Sequence, residues 1–309
     1  MFIIKHKKIF IGVSLGLVIL SVVAMIIFGF NVGIDFKGGA LTEVVYKTER
    51  PAQESLNKPL EALDFGTVLL QPTGELGYIV KTRDLTDPEH AKLLETLSLD
   101  RSTTTGEAAA DPDSLTELSF NSIGPSVGRE LTRKAILAII LISLAIICFI
   151  AFAFRKVSKP VSSWRYGLIA VVTLLHDVII PVGIFTILSH YFGAEVDALF
   201  VVAILTILGL SVSDTIVIFD RIRENLRNEV NIAKTDFSQV VGRSLSQSFV
   251  RSICTSLTVI LVLLALFFFV PETTKYFALM LTAGMFFGTY SSIFLASPLL
   301  VLSEEMQKK

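Results

Sequence analysis

A chain of 309 residues that is 52% hydrophobic and only 18% charged, with a mean hydropathy of +0.67, is too apolar for a soluble globular protein. Its net charge of −1 says nothing about a polyanionic partner, and no basic face suggests nucleic acid, so none is expected. Cys148 and Cys254 both fall in apolar runs, which excludes an extramembrane disulfide framework and reads them as small buried side chains.

Six runs are long and apolar enough to cross a bilayer core of roughly 30 Å. Residues 1–8 precede the first, 9–30. Its start is basic, but its apolar run exceeds the roughly 7–15 residues of a cleaved signal, so it is read as a retained helix. Gly12 and Gly16 on it are spaced for a helix contact. The other spans are 135–154, 166–188, 198–219, 253–270 and 276–302, joined by loops at 155–165, 189–197, 220–252 and 271–275, with a tail at 303–309. Lys and Arg gather at the N-terminus, in 155–165, in 220–252 and in the tail. The two short loops at 189–197 and 271–275 hold only Lys275. The positive-inside rule then expects both termini in the cytoplasm and residues 31–134 outside.

The outside segment alternates. Ala40–Tyr46, Thr67–Leu70, Gly77–Lys81 and Leu115–Phe120 read as strands, with Pro72-Thr73-Gly74 as a turn between the middle two. Pro51–Leu63 reads as a helix interrupted by Pro59. A second helix starts at Thr86-Asp87-Pro88-Glu89, and Ser98–Asp113 reads as a polar loop. The order β-α-β-β-α-β is the ferredoxin-like pattern. The fold class expected is thus an α-helical polytopic membrane protein with six transmembrane helices and an α+β extracytoplasmic domain between helices 1 and 2.

The fourth span carries Asp214 among Leu, Ile, Val and Phe. A carboxyl at membrane depth costs about 2.5–3.5 kcal/mol on insertion scales, so it reads as a proton-titratable group or as a packing device bonded to a nearby hydroxyl. Thr206, Gly209 and Ser213 form a strip of small residues on the same helix, which lets another helix come close. Span three carries His176 and Asp177 at mid-depth. Asp177 is a second, weaker candidate, with His176 as its ready structural partner. Arg251 precedes span five, placed either to snorkel to the interface or to pair with Asp214. On span six Gly284, Gly288, Ser292 and Ala296 recur every fourth residue, as a contact within the bundle or with another subunit. HExxH, CxxC and Walker-type motifs are absent, so no enzyme, metal centre or ATP site is expected, and protons are the coupling ion.

The stretches GIDFKGG at 33–39, SIGPSVGREL at 122–131, LLHDV at 174–178, SDTIVIFDRIRENLR at 213–227, SLSQSFVRSICTSLT at 244–258 and FALMLTAGMFFGTYSSIFLASPLL at 277–300 resemble the SecF branch of the SecD/SecF protein-export family. Leu210 and Ser213 stand where that family is expected to have Tyr and Asn. The resemblance implies half of an RND-like bundle in the bacterial cytoplasmic membrane. It also implies SecD as partner, association with the SecYEG translocon, and proton-driven movement of preproteins. By motif position it makes Asp214 the proton-relay carboxyl and Arg251 its span-five companion. Two other functions stay open on the residues alone: half of an RND-type small-molecule exporter, and a structural scaffold subunit.

Overall fold

The computed structural model describes residues 2–100, 109–110, 114–153, 161–229, 236–270 and 272–308. Two compact units divide the chain, Val32–Ile136 and the remainder. The chain starts with a short helix α1 (Phe2–Lys5), followed by α2 (Lys7–Phe28), which ends at Gly29 with φ +65°.

Within Val32–Ile136 the elements are α3 (Ile34–Lys37), β1 (Gly39–Tyr46), α4 (Gln53–Glu61), β2 (Leu69–Thr73), β3 (Gly77–Thr82), α5 (Asp87–Ser98), β4 (Leu99–Asp100), β5 (Ala109–Ala110) and β6 (Leu115–Ile123). The main sheet has the order β2-β3-β1-β6, all neighbours antiparallel, which is the ferredoxin-like arrangement. Ala40, Val44, Tyr46, Tyr78 and Val80 line one face and bury it against Leu56 and Leu60 of α4 and Leu93 and Leu97 of α5. Glu89 closes a capping box on α5, accepting from the Thr86 backbone N–H at 2.9 Å and the Thr86 hydroxyl at 2.8 Å.

Pro72 and Thr73 lie inside β2, and the turn is Gly74–Leu76; β2 is an edge strand, where a missing N–H is tolerated. Pro59 does not interrupt α4, because it falls in the last turn, where it removes few bonds while Leu60 stays buried. Most of Ser98–Asp113 lies outside the described residues; within it Leu99–Asp100 pairs with Ala109–Ala110.

The remaining helices are α6 (Pro125–Ala153), α7 (Ser163–Phe192), α8 (Ala198–Asn228), α9 (Phe237–Phe269) and α10 (Glu272–Ser291), then a π turn at Ser292–Ala296 and α11 (Ser297–Lys308). Among the described residues six helical stretches are long and apolar enough to cross a membrane. Their ends differ from the hydropathy boundaries. α6 starts at Pro125, well before 135, with Pro at the first helical position. Residues 220–252, expected as a loop, are in large part extensions of α8 and α9. Ile222 and Leu226 on one extension and Phe237, Val240, Val241 and Leu245 on the other are all buried, so apolar residues at helical spacing pack the two together. Asn225 Nδ2 ties them by donating to Ser244 Oγ (2.8 Å) and Gln247 Oε1 (2.9 Å).

α7, α8 and α10 form the packed interior, with α2 seated on α7 at Ser21 and Gly183. α6 by contrast turns Ile136, Leu137, Ile140, Leu141, Leu144, Phe149 and Phe152 outward. Cys148 and Cys254 are exposed on outward faces, which corrects the expectation that both are buried; a small apolar side chain there can be covered by lipid.

Candidate functional site

Two carboxyls meet one turn of α8. Asp177 on α7 is fully buried, and Asp214 on α8 is 8% exposed. His176 Nδ1 and Asp177 Oδ1 share a hydrogen bond of 2.8 Å, and Ser211 of α8 donates to Asp177 Oδ2. Ser211 precedes Asp214 by three residues, so the helix puts both on neighbouring positions of one face. Pro181, four residues beyond Asp177, leaves the backbone carbonyl of Asp177 without its usual helical donor.

Asp214 points to where α8, α9 and α10 converge. Its Oδ2 lies 3.5 Å from both Ser256 Oγ on α9 and Thr289 Oγ1 on α10. These two hydroxyls also contact each other, and each has a shorter bond to its own helix, Ser256 to Ser252 O at 2.7 Å and Thr289 to Met285 O at 2.9 Å. A hydroxyl has one hydrogen to give. When both hydrogens go to the backbone carbonyls, Asp214 receives none and is satisfied only by carrying a proton and donating it. When Asp214 is ionised, a hydroxyl must turn away from its helix to reach it. The proton state of one carboxyl thus selects the hydrogen-bond pattern among three helices. On the neighbouring turn, Thr215 Oγ1 and Ser292 Oγ are 2.9 Å apart.

The small residues of α10 and the π turn are buried against α8. A Cβ on Gly284 would run into Ile207, and one on Gly288 would sit 3.4 Å from Ser211 Cβ. Ser292 and Ala296 are fully buried. The strip Thr206, Gly209 and Ser213 faces away from this contact. Gly209 and Ser213 are exposed, and no heavy atom lies within 4 Å of a Cβ built on Gly209. Among the described residues no helix fills that strip. Arg251 is exposed on α9, and among the described residues it makes no ion pair with Asp214. Gly12 and Gly16 also face open space.

Ser211, Ser256 and Thr289 escaped the sequence reading as partners of the carboxyls. A signal for one of them was present: Ser244, Ser248, Ser252 and Ser256 recur every fourth residue, and all are buried on α9. Among the described residues no cluster of three or more His, Cys, Asp or Glu could hold a metal ion.

The family described as "Protein export membrane protein SecD/SecF, C-terminal" matches residues 103–306. A "Protein translocase subunit SecF" of Thermobaculum terrenum is 42% identical over 97% of this chain and 92% of its own length. The Haemophilus influenzae protein of the same description is 32% identical over 94% of this chain and 82% of its own. A crystal structure of SecDF, a translocon-associated membrane protein from Thermus thermophilus, superposes with a TM-score of 0.78 at 29% identity; it matches 99% of this chain, which spans 38% of that longer one. A buried carboxyl on the fourth span, six membrane-length helices among the described residues and a ferredoxin-like insert occur in a chain that belongs to the SecD/SecF family of protein-export membrane proteins, on its SecF branch.

Proposed function

We propose that this chain is the SecF-type half of a proton-driven export device, with Asp214 as its proton carrier. The observation that carries this reading is the hydroxyl pair at Asp214: Ser256 and Thr289 cannot satisfy both their own helices and an ionised carboxyl. Gain or loss of one proton changes which helix each hydroxyl holds, so α9 and α10 are released from or drawn toward α8. One elementary charge moving through 100 mV is worth about 2.3 kcal/mol, roughly a fifty-fold bias on a two-state equilibrium. Asp177, braced by His176 and Ser211, is the second station of the relay, and Arg251 of α9 is its cationic companion.

The partner is a SecD chain. It supplies the helix that the exposed strip Thr206–Gly209–Ser213 accepts, and it covers the outward apolar side of α6. In this reading the pair associates with the SecYEG translocon and acts on preproteins emerging outside the cytoplasmic membrane. Both termini are cytoplasmic, and residues 31–134 face the exterior.

The test is Asp214→Asn in vesicles containing the assembled pair and translocon. Co-purification with SecD is expected to persist while gradient-dependent export falls to the level seen with a protonophore. Unchanged export would remove Asp214 from the coupling mechanism, and loss of co-purification would assign it a scaffold role.

A further inference from the structure

At the end of the bundle where the chain starts, α1 packs against both α9 and α11. Beside it opens a recess of about 540 Å³ lined by Ile4, Lys5, Lys7, Gln239, Arg243 and three small residues of α9, Ser238, Gly242 and Ser246. Three cations from two separate parts of the chain thus face one space. Their donors are only partly used. Lys7 is ion-paired to Glu305, Arg243 Nη1 donates to Glu229 Oε1 at 3.2 Å, and Lys5 is bonded to no carboxylate among the described residues. An ammonium has three donors and a guanidinium five, so most of them remain available. The α9 N-terminus adds little, because Asp236 already caps it by accepting from Ser238 N and Ser238 Oγ, both at 3.0 Å.

The recess is also amphipathic. Ile4 is one of its lining residues, and Phe2 and Ile9, each two residues along the chain from a lining residue, are 68% and 61% exposed. A free anion has no use for apolar surface, whereas a phospholipid needs both a cationic pocket and an apolar wall for its chains. Basic pockets between membrane helices at the headgroup level bind anionic lipid in this way.

We propose that the Lys5–Lys7–Arg243 recess is a specific site for the phosphodiester headgroup of an anionic phospholipid. Arg243 offers a two-pronged donor to the phosphate oxygens and Lys5 a point charge, while Lys7 stays anchored by Glu305. Bound lipid joins α1 to the start of α9, and so fixes the N-terminal segment against the helix that carries Ser252 and Ser256. The site requires only that this end of the bundle meet the headgroup layer, and holds whichever leaflet that is.

The test is thermal unfolding and native mass spectrometry of the full chain in neutral detergent. The additives are phosphatidylglycerol, phosphatidylcholine, glycerophosphoglycerol without acyl chains, or inorganic phosphate. Phosphatidylglycerol is expected to raise the unfolding temperature and to be retained at one lipid per chain, with Lys5→Gln and Arg243→Gln each weakening retention about fivefold. Lys8→Gln, at an exposed residue that does not line the recess, should leave retention unchanged. Equal stabilisation by phosphatidylcholine, or undiminished retention in both recess variants, overturns the site. Equal stabilisation by the soluble phosphates overturns the lipid and assigns the recess to a small anion. If an acidic segment of a co-purified protein displaces phosphatidylglycerol and protects both variants' positions, the recess is a protein-docking site instead.

Discussion

Ser211 on α8 gives its hydroxyl hydrogen to Asp177 on α7, and both side chains are buried. Ser211→Ala leaves a carboxylate oxygen without that donor, a loss of about 1–3 kcal/mol for a buried polar group. The purified protein should unfold at a lower temperature. In a double-mutant cycle with Asp177→Asn the two changes should be clearly non-additive. Simple additivity would show that the contact carries no coupling.

The tight seam between Gly284 and Ile207 has a reciprocal consequence. Gly284→Ala overpacks the contact and should cost about 1–3 kcal/mol. Ile207→Val combined with it should recover part of the loss, because it removes a carbon from the side that must yield. Gly12→Ala and Gly16→Ala, by contrast, meet nothing within 4 Å in the interior of α2, so each should gain up to about 1 kcal/mol from helix propensity and raise the unfolding temperature. A loss of stability at either would mean that a helix from outside the chain sits there.

Gly38 and Gly128 bring the motifs GIDFKGG and SIGPSVGREL onto each other. Gly38 has φ +82°, and a Cβ on Gly128 would stand 3.0 Å from both Gly38 N and Phe36 O. Gly128 is helical, so replacement by Ala should gain about 1 kcal/mol from propensity alone. Backbone atoms on the other side cannot yield, so Gly128→Ala should nonetheless destabilise. Faster proteolysis within residues 33–39 is the measurement, and a stabilised variant would contradict the contact.

Acid should loosen α5. The Arg83 guanidinium, with the Thr86 backbone and hydroxyl, holds the Glu89 carboxyl down from 4.5 to about 2. A carboxyl whose folded value is depressed stabilises above its unfolded value and loses that contribution as pH falls toward its folded value. Amide exchange in α5 should therefore accelerate as pH drops from 4.5 to 2, beyond the intrinsic rate change. In Glu89→Gln that excess should disappear. The Tyr46 hydroxyl, pushed up by burial, donates to Leu97 O at 3.1 Å and keeps the far end of α5 in place at every pH in this window.

Much of this was legible in one dimension. Hydrophobic runs marked six spans, and alternation between turn signals marked the four strands, because membrane thickness and the pleat both impose a period on sequence. Asp214 stood out because a carboxyl among Leu and Ile has an obvious cost. What a period cannot tell is which face meets which neighbour. The strip at Thr206, Gly209 and Ser213 and the stripe at Gly284, Gly288, Ser292 and Ala296 look alike as letters, yet only the second is buried by this chain. Nor does a list of Ser and Thr reveal that Ser256 and Thr289 compete for the same carboxylate oxygen, since that depends on three helices arriving together.

A repeat of exactly four residues does not stay on one side of an α-helix: at 3.6 residues per turn each step advances by roughly 40°, so Gly284, Gly288, Ser292 and Ala296 ought to spiral off the seam. The wide turn at Ser292–Ala296 closes from i to i+5 and rotates each residue by less, which winds the last step back and keeps Ala296 in register. Ser297 then donates to Ser292 O at 3.3 Å across that loosened ring, just ahead of Pro298, which has no N–H to give. The final span thereby works as a vernier, its slack loop of backbone correcting the pitch so that a straight row of small side chains can lie along a straight neighbour.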